Sequence, residues 1–88
     1  MKPTQHELIV RYLLKHRGVW IPSHQLQQKQ TEHGWIGSEG DRRARELAQD
    51  GFYDTKSHRI YIHRRKNGKY AEYRVTALEP ITKLTTHA

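Results

Sequence analysis

The chain has 88 residues, of which sixteen are Lys or Arg and nine are Asp or Glu, so its formal net charge is +7 and its isoelectric point lies near 10.0. At this length we expect one domain without a second core or a deep enzymatic cleft, and the charge points to a polyanionic partner. The absence of cysteine excludes disulfides and thiolate metal sites, and the short apolar runs predict neither a signal peptide nor a membrane span.

The first predicted element is a helix that begins at Thr4. Thr4 and Glu7 have the spacing of a capping box, in which the Thr4 hydroxyl accepts a hydrogen bond from the Glu7 amide. Apolar residues then recur at helical spacing on one face, and Gly18 can take the left-handed conformation that ends a helix. Residues 19–21 form a short apolar run before Pro22, which predicts a minimal edge strand.

A second helix is predicted over residues 23–30, with Leu26 as its one clear apolar anchor. Residues 31–34 end in a glycine and would break this helix, supplying the turn of a helix-turn-helix. Trp35 and Ile36 follow as an apolar pair, and we expect both in the core.

The third predicted helix covers about residues 38–50, with Ser38 as its N-cap and Gly51 at its C-terminal end. Small or apolar residues would face the core: Ala44, Leu47 and Ala48. The exposed face and its flanks would carry the side chains able to contact DNA: Ser38, Arg42, Arg43, Arg45 and Gln49. Arginine suits guanine and glutamine suits adenine, each in a bidentate contact, so the helix is a candidate for base recognition.

Glu46 leaves two interpretations of this helix open. Its carboxylate would repel a phosphate, but it could accept from a cytosine amino group or hold a neighbouring arginine in place. The alternative to DNA recognition is a solvated helix face on which Glu46 pairs with Arg42 or Arg43 at helical spacing. The basic segment that follows the helix favours DNA recognition.

That segment predicts a β-hairpin. Asn67 and Gly68 are the preferred residue pair for a type I′ turn, and counting outward from them places Ile62 opposite Tyr73. Both side chains would then point into the core, while the opposite face of the hairpin is polar and basic.

The hairpin concentrates positive charge. Between Arg59 and Arg74 the sequence has six Lys or Arg residues and one acid, Glu72. Four of the cations surround the predicted tip: Arg64, Arg65, Lys66 and Lys69. Mutual repulsion at such a tip favours contact with phosphates or insertion of an arginine into a minor groove. The alternative is that these side chains only prevent edge-to-edge strand pairing.

Catalytic, metal and cofactor sites are not predicted. The histidine pairs that could be considered, His58 with His63 and His24 with His33, lack metal-ligand spacing and any cysteine partner. No phosphate-binding loop or nucleophile elbow occurs, and the acids are dispersed along the chain. We therefore expect a protein without enzymatic activity, metal or cofactor.

The chain resembles small winged helix-turn-helix domains of the phage and prophage type. The residues that carry the resemblance are Ser38, Arg42-Arg43, Arg45-Glu46-Leu47 and Gly51, followed by a short basic hairpin that ends in Tyr73-Arg74-Val75. The resemblance covers about residues 4–76. It implies an α+β fold with three helices and a small antiparallel sheet, in the order α1-β1-α2-α3-β2-wing-β3. The domain would span residues 1–76, and residues 77–88 would form a tail or a packing extension.

Members of this group bind duplex DNA as transcriptional regulators, excision factors or replication accessories. The resemblance implies a non-catalytic DNA-binding protein in the cytoplasm of a bacterium or a phage-infected host cell. The third helix would lie in the major groove, with wing residues 63–70 on phosphates or in the minor groove.

Specificity on the scale of a genome would call for a homodimer or a partner protein, and we expect no membrane or small-molecule partner. The alternative function is a protein-interaction module that binds and modulates a host protein such as a polymerase or nuclease.

Overall fold

A computed structural model of the protein describes residues 4–81. In chain order the elements are α1 (Gln5–Lys15), β1 (Ile21–Pro22), a 3₁₀ helix (Ser23–Leu26), β2 (Lys29–Thr31), β3 (Gly34–Ile36), α2 (Gly40–Asp50), β4 (Phe52–Asp54), β5 (His58–Asn67) and β6 (Tyr70–Pro80). Among residues 4–81, no helix has both the length and the apolar character needed to traverse a bilayer.

The strands form two antiparallel sheets. The larger has four strands in the order β1-β6-β5-β4, and the smaller is the hairpin of β2 and β3. The helices pack against the larger sheet around a single core, whose buried residues come from both helices, the 3₁₀ helix and four of the strands. The side chains buried most completely are Ile9, Leu13, Leu26, Ile36, Ile62, Tyr73 and Val75.

Helix α1 begins as the sequence predicts. The Thr4 side chain accepts from the Glu7 amide at 3.1 Å, which satisfies one of the free N–H groups of the first turn. The helix buries a stripe at helical spacing: Leu8, Ile9, Val10 and Leu13. Gly18 has φ +84° just after the helix and donates from its amide to the Val75 carbonyl at 3.3 Å, so α1 is tied to strand β6.

The predicted three-helix, helix-turn-helix architecture is wrong. The α+β class is retained, but residues 23–30 do not form an α-helix: Ser23–Leu26 makes a single 3₁₀ turn, and the chain then forms the β2–β3 hairpin. The predicted order α1-β1-α2-α3-β2-wing-β3 fails for this reason, and also because β4 adds a strand between the last helix and the long hairpin.

The β2–β3 hairpin is favoured over a helix by local hydrogen bonding. The Thr31 hydroxyl accepts from the amides of His33 and Gly34, both at 3.2 Å, and donates to the Gly34 carbonyl at 2.7 Å. The residues that follow alternate as in a strand: Trp35 is 52% exposed and Ile36 is completely buried. The expectation that Trp35 packs in the core is therefore wrong, because the strand alternation places it on the solvent side.

The long helix α2 starts at Gly40, and its N-cap residue is Glu39, which makes no side-chain capping bond. Ser38 is therefore not the cap that the sequence predicts. Gly40 packs against the carbonyl group of Leu26 and the side chain of Ile36, which fixes where the helix begins. The predicted C-terminus is confirmed, since Gly51 follows in the left-handed conformation and donates to the Leu47 carbonyl.

The register of the β5–β6 hairpin differs by two residues from the predicted one. Asn67 pairs with Tyr70, so the turn residues are Gly68 and Lys69, and Ile62 pairs with Val75 instead of Tyr73. Gly68 has φ +64°, whereas neither Asn67 nor Lys69 has a positive φ, as in a type II′ turn. A shift of two residues leaves every side chain on its predicted face, so the core assignment survives the error.

This turn assignment predicts different costs for two neighbouring substitutions. Gly68→Ala should lower the free energy of unfolding by about 1–2 kcal/mol, because an L-residue is strained at positive φ and the added methyl contacts nothing within 4 Å. Asn67→Ala should cost less than about 0.5 kcal/mol, as at an ordinary exposed site. Urea unfolding of both variants tests this, and a larger cost at Asn67 would restore the type I′ register.

Strand β6 continues past residue 76, where the domain was expected to end. It pairs with β5 as far as Pro80 opposite His58, with one irregularity between Tyr61 and Ile62. Ile81 donates from its amide to the Ser57 carbonyl at 2.9 Å. The rest of the predicted tail lies outside the described residues.

Candidate nucleic-acid interface

The tip of the β5–β6 hairpin is exposed on both faces. Residues 63–70 are exposed without interruption, which matches the segment predicted as a wing. Ile62, just before this segment, is buried at 1% exposure, so alternation places Arg64 and Lys66 on the face of the sheet that carries the core. Arg65 lies on the opposite face. The hairpin therefore presents cations on both sides.

Arg65 is held by two neighbours on the outer face. Its Nε donates at 2.8 Å to Oε1 of Glu72, a residue only 9% exposed, and its guanidinium lies 4.4 Å from the centre of the Trp20 ring. The guanidinium of Arg74 lies 4.5 Å from the same ring. Trp20 is thus occupied by two cation–π contacts, and Arg65 is a cation whose charge is already matched inside the fold.

The opposite face brings the helix and the hairpin together at Tyr73. Burial raises the pKa of the Tyr73 hydroxyl; Arg64, which lies opposite Tyr73 in the hairpin, acts in the opposite direction, and two charges of α2 act more weakly, with Asp41 raising the pKa and Arg45 lowering it. Tyr73 therefore stays protonated at neutral pH, opposite Arg64 of β5 and within the electrostatic influence of Asp41 and Arg45 of α2. This convergence was not predicted, because it depends on how α2 packs across the sheet.

The other two arginines of α2 are paired with acids. Arg42 lies 3.2 Å from Oε1 of Glu39 and 3.7 Å from Oε2 of Glu46, and Arg43 lies 3.4 Å from Oε1 of Glu46. The alternative interpretation of the helix, in which Glu46 pairs with these arginines, is confirmed in its geometry. Two predicted DNA-contacting residues are thereby engaged within the helix itself.

The net charges of α2 and of the β5–β6 hairpin differ in sign. Residues 39–50 contain three arginines and four acids, a net charge of −1. Residues 59–74 contain six Lys or Arg and one acid, a net charge of +5. Positive charge is therefore a property of the hairpin, and α2 contributes to it through one residue, Arg45.

Four of the predicted cationic site residues, all on α2 or the hairpin, form no ion pair within residues 4–81. We call this set the basic patch: Arg45, Arg64, Lys66 and Lys69. All four are exposed. Two uncharged members of the predicted site, Ser38 and Gln49, are exposed on the helix side. The basic patch is the group of predicted residues that is free to bind an anion.

Glu46 also connects the two helices. Its Oε1 lies 3.0 Å from Nε2 of His6 on α1. The hydrogen bond from His6, supported by Arg43, holds the pKa of Glu46 below its ordinary value of 4.5. A carboxyl group whose pKa is depressed in the folded protein stabilises the fold above the unfolded pKa, and this stabilisation is lost as the pH falls through the folded value.

Replacing Glu46 should therefore remove a contribution to the free energy of unfolding that is sensitive to acid. Relative to Glu46→Gln, we expect the advantage of the wild-type protein in unfolding free energy to be fully present above the ordinary glutamate pKa of 4.5 and to be lost as the pH falls through the lower pKa of the folded protein. Chemical unfolding of both proteins across this range provides the measurement. A difference that does not change with pH would show that the carboxylate charge is not involved.

A groove lies at the other end of the molecule. It has a volume of about 970 Å³ between α1 and the β4–β5 turn, and its apolar lining consists of Val10, Leu14, Tyr53 and Ile60. Strand β5 joins this end to the hairpin tip and has 10 residues, which span about 33 Å. None of the predicted site residues lines this groove. Within residues 4–81, no cluster of three or more His, Asp or Glu side chains could hold a metal ion.

Comparison of the chain with known protein families, curated proteins and solved structures finds no match.

Proposed function

We propose that this protein binds duplex DNA without catalysing a reaction, and that the β5–β6 hairpin is its main contact element. The observation that supports this most strongly is the basic patch, whose four cations form no ion pair within residues 4–81 and face solvent. Arg59 and Arg65, by contrast, are matched by Asp54 and Glu72. With Arg74 placed over Trp20, the hairpin cations that remain are Arg64, Lys66 and Lys69, and Arg45 of α2 completes the basic patch.

The patch has dimensions that suit a nucleic-acid backbone. Residues 63–67 of β5 span about 16 Å, and duplex DNA carries one negative charge per about 1.7 Å of its axis. Several phosphates therefore lie within reach of the patch. The release of their condensed counterions is the main source of sequence-independent affinity.

DNA binding without chemistry suits a transcriptional regulator or a recombination accessory factor, since both act by occupying a duplex. Arg45 extends the contact from the hairpin to α2, because its charge acts on the same Tyr73 hydroxyl as that of Arg64. Ser38 and Gln49, exposed on the same helix, are available at its margin.

The test is fluorescence anisotropy with a labelled DNA duplex over a salt series. Phosphate contacts from Arg45, Arg64 and Lys66 predict that log K falls with log salt at a slope near −3, so that affinity drops about fortyfold between 50 and 200 mM salt. Absence of duplex binding at moderate salt would overturn the proposal. In that case the same cations would be tested against acidic protein surfaces.

A further inference from the structure

We infer that the tip of the β5–β6 hairpin enters the major groove of DNA and that Asn67 and Lys69 contact base edges there. This inference rests on the proposed function and specifies which groove is read and by which residues. It reverses the roles expected from the sequence, where the helix would occupy the major groove.

The free part of the hairpin has the length needed for the depth of the major groove. Strand β1 pairs with β6 at Tyr73 and Glu72, so a third strand flanks the hairpin at the row that Glu72 shares with Arg65. Beyond it only two rows and the turn remain, and they project about 10 Å. The major groove is about 8.5 Å deep. When the third strand meets the edge of the groove, the tip of the hairpin would therefore lie at about the floor.

The tip of the hairpin is too wide for the minor groove. Two paired strands lie about 4.8 Å apart before side chains are added, and the minor groove is only about 6 Å wide. The major groove is about 12 Å wide and admits a two-stranded ribbon. At the tip both strands carry exposed side chains, Lys66 and Asn67 on one and Tyr70 on the other, so the ribbon fits the wider groove.

Helix α2 is poorly suited to the major groove. Its net charge with Glu39 is −1, and Arg42 and Arg43 are engaged by Glu39 and Glu46. Moving this surface between two walls of phosphate would bring acids close to anions. Arg45 and Arg64 lie where α2 meets the base of the hairpin, and they are placed for the phosphates at the edge of the groove.

The residues of the tip carry the chemistry of base recognition. An asparagine amide can make two hydrogen bonds to N6 and N7 of adenine, and a lysine can donate to O6 and N7 of guanine. Asn67 and Lys69 are exposed, and neither side chain makes a hydrogen bond or an ion pair within the described part of the chain. Asn67 has no positive φ to maintain, so the turn does not require an asparagine there.

The test uses purine analogues that alter one groove at a time. A duplex enriched from a randomised pool is prepared unmodified, with 7-deazapurines, which lack the N7 acceptor of the major groove, and with 3-deazaadenine and inosine, which alter the minor groove. We expect 7-deaza substitution to weaken wild-type binding about tenfold and the minor-groove analogues to change it less than about twofold.

The variant Asn67→Ala/Lys69→Ala should bind the unmodified duplex more weakly and should no longer distinguish it from the 7-deaza duplex. Lys56→Ala, which removes one cation at the opposite end of β5, is the matched control and should retain the full 7-deaza effect. Circular dichroism verifies that each variant is folded.

Three results would overturn the inference while leaving DNA binding intact. They are a loss of affinity with the minor-groove analogues, insensitivity to every analogue, and failure of the pool to yield an enriched sequence. A wild-type protein that binds no duplex at all would instead contradict the proposed function itself.

Discussion

Removing Arg45 and Arg64 together should weaken duplex DNA binding about thirtyfold at moderate salt, if each contributes the 1 kcal/mol or so of a charge-assisted contact to phosphate. The two side chains come from different elements but both act on the charge state of the Tyr73 hydroxyl, so the variant removes one cation from α2 and one from the hairpin. The slope of log K against log salt should become shallower by about 2, one phosphate contact for each arginine.

The control for this variant is Arg17→Ala/Lys56→Ala, which removes the same charge from exposed residues outside the basic patch. It should change affinity less than about threefold, through the long-range field alone. Gln49→Ala offers a second comparison, because it alters the exposed face of α2 without changing the charge. If Gln49→Ala were as damaging as the double arginine variant, α2 would be the main reading element and the hairpin would be secondary.

The elements that the sequence predicted well are those determined by nearby residues. The start of α1 follows from Thr4 and Glu7, which are three positions apart, and the end of α2 follows from Gly51. The inward face of the long hairpin follows from the alternation around Ile62. Each signal lies within one or two turns of helix or a few residues of strand, where pattern and geometry coincide.

The prediction of a second helix was wrong because residues 23–30 have few apolar side chains to bury. Leu26 is the one apolar residue between residues 23 and 30, so a helix there would gain little from packing, and the side-chain bonds of Thr31 favour a turn instead. The predicted hairpin register was wrong for a different reason. Asn67–Gly68 and Gly68–Lys69 both allow a two-residue turn that keeps Ile62 inward, so the hydrophobic pattern cannot distinguish them.

The composition of the site depended on packing between distant parts of the chain. The sequence could not separate Arg45 from Arg42 and Arg43, since the ion pairs of the last two depend on side-chain conformation. Likewise Trp20 meets Arg65 only because β1 pairs with β6, about fifty residues further along the chain.

Gly40→Ala should destabilise the protein more than any other glycine-to-alanine substitution within residues 4–81. A methyl group at this position would overlap the Leu26 carbonyl oxygen and lie 2.6 Å from Cγ2 of Ile36. Both neighbours are buried in the core, and the carbonyl belongs to the backbone, so neither can move away easily. Overpacking of this kind costs about 1–3 kcal/mol or more, which lowers the melting temperature of a domain this size by about 4–8 °C for each kcal/mol.

Gly37→Ala is the matched control, three residues earlier in the lead-in to α2. Its methyl would approach only Oε1 of Gln5, at an ordinary contact distance of 3.7 Å, and its φ is not positive. We expect a cost below about 0.5 kcal/mol by thermal unfolding. Since Gly40 holds the start of α2 against the 3₁₀ helix, its substitution should also displace Arg45 and weaken DNA binding at temperatures where the variant is still folded. Equal stability of the two variants would mean that α2 does not approach Leu26 this closely.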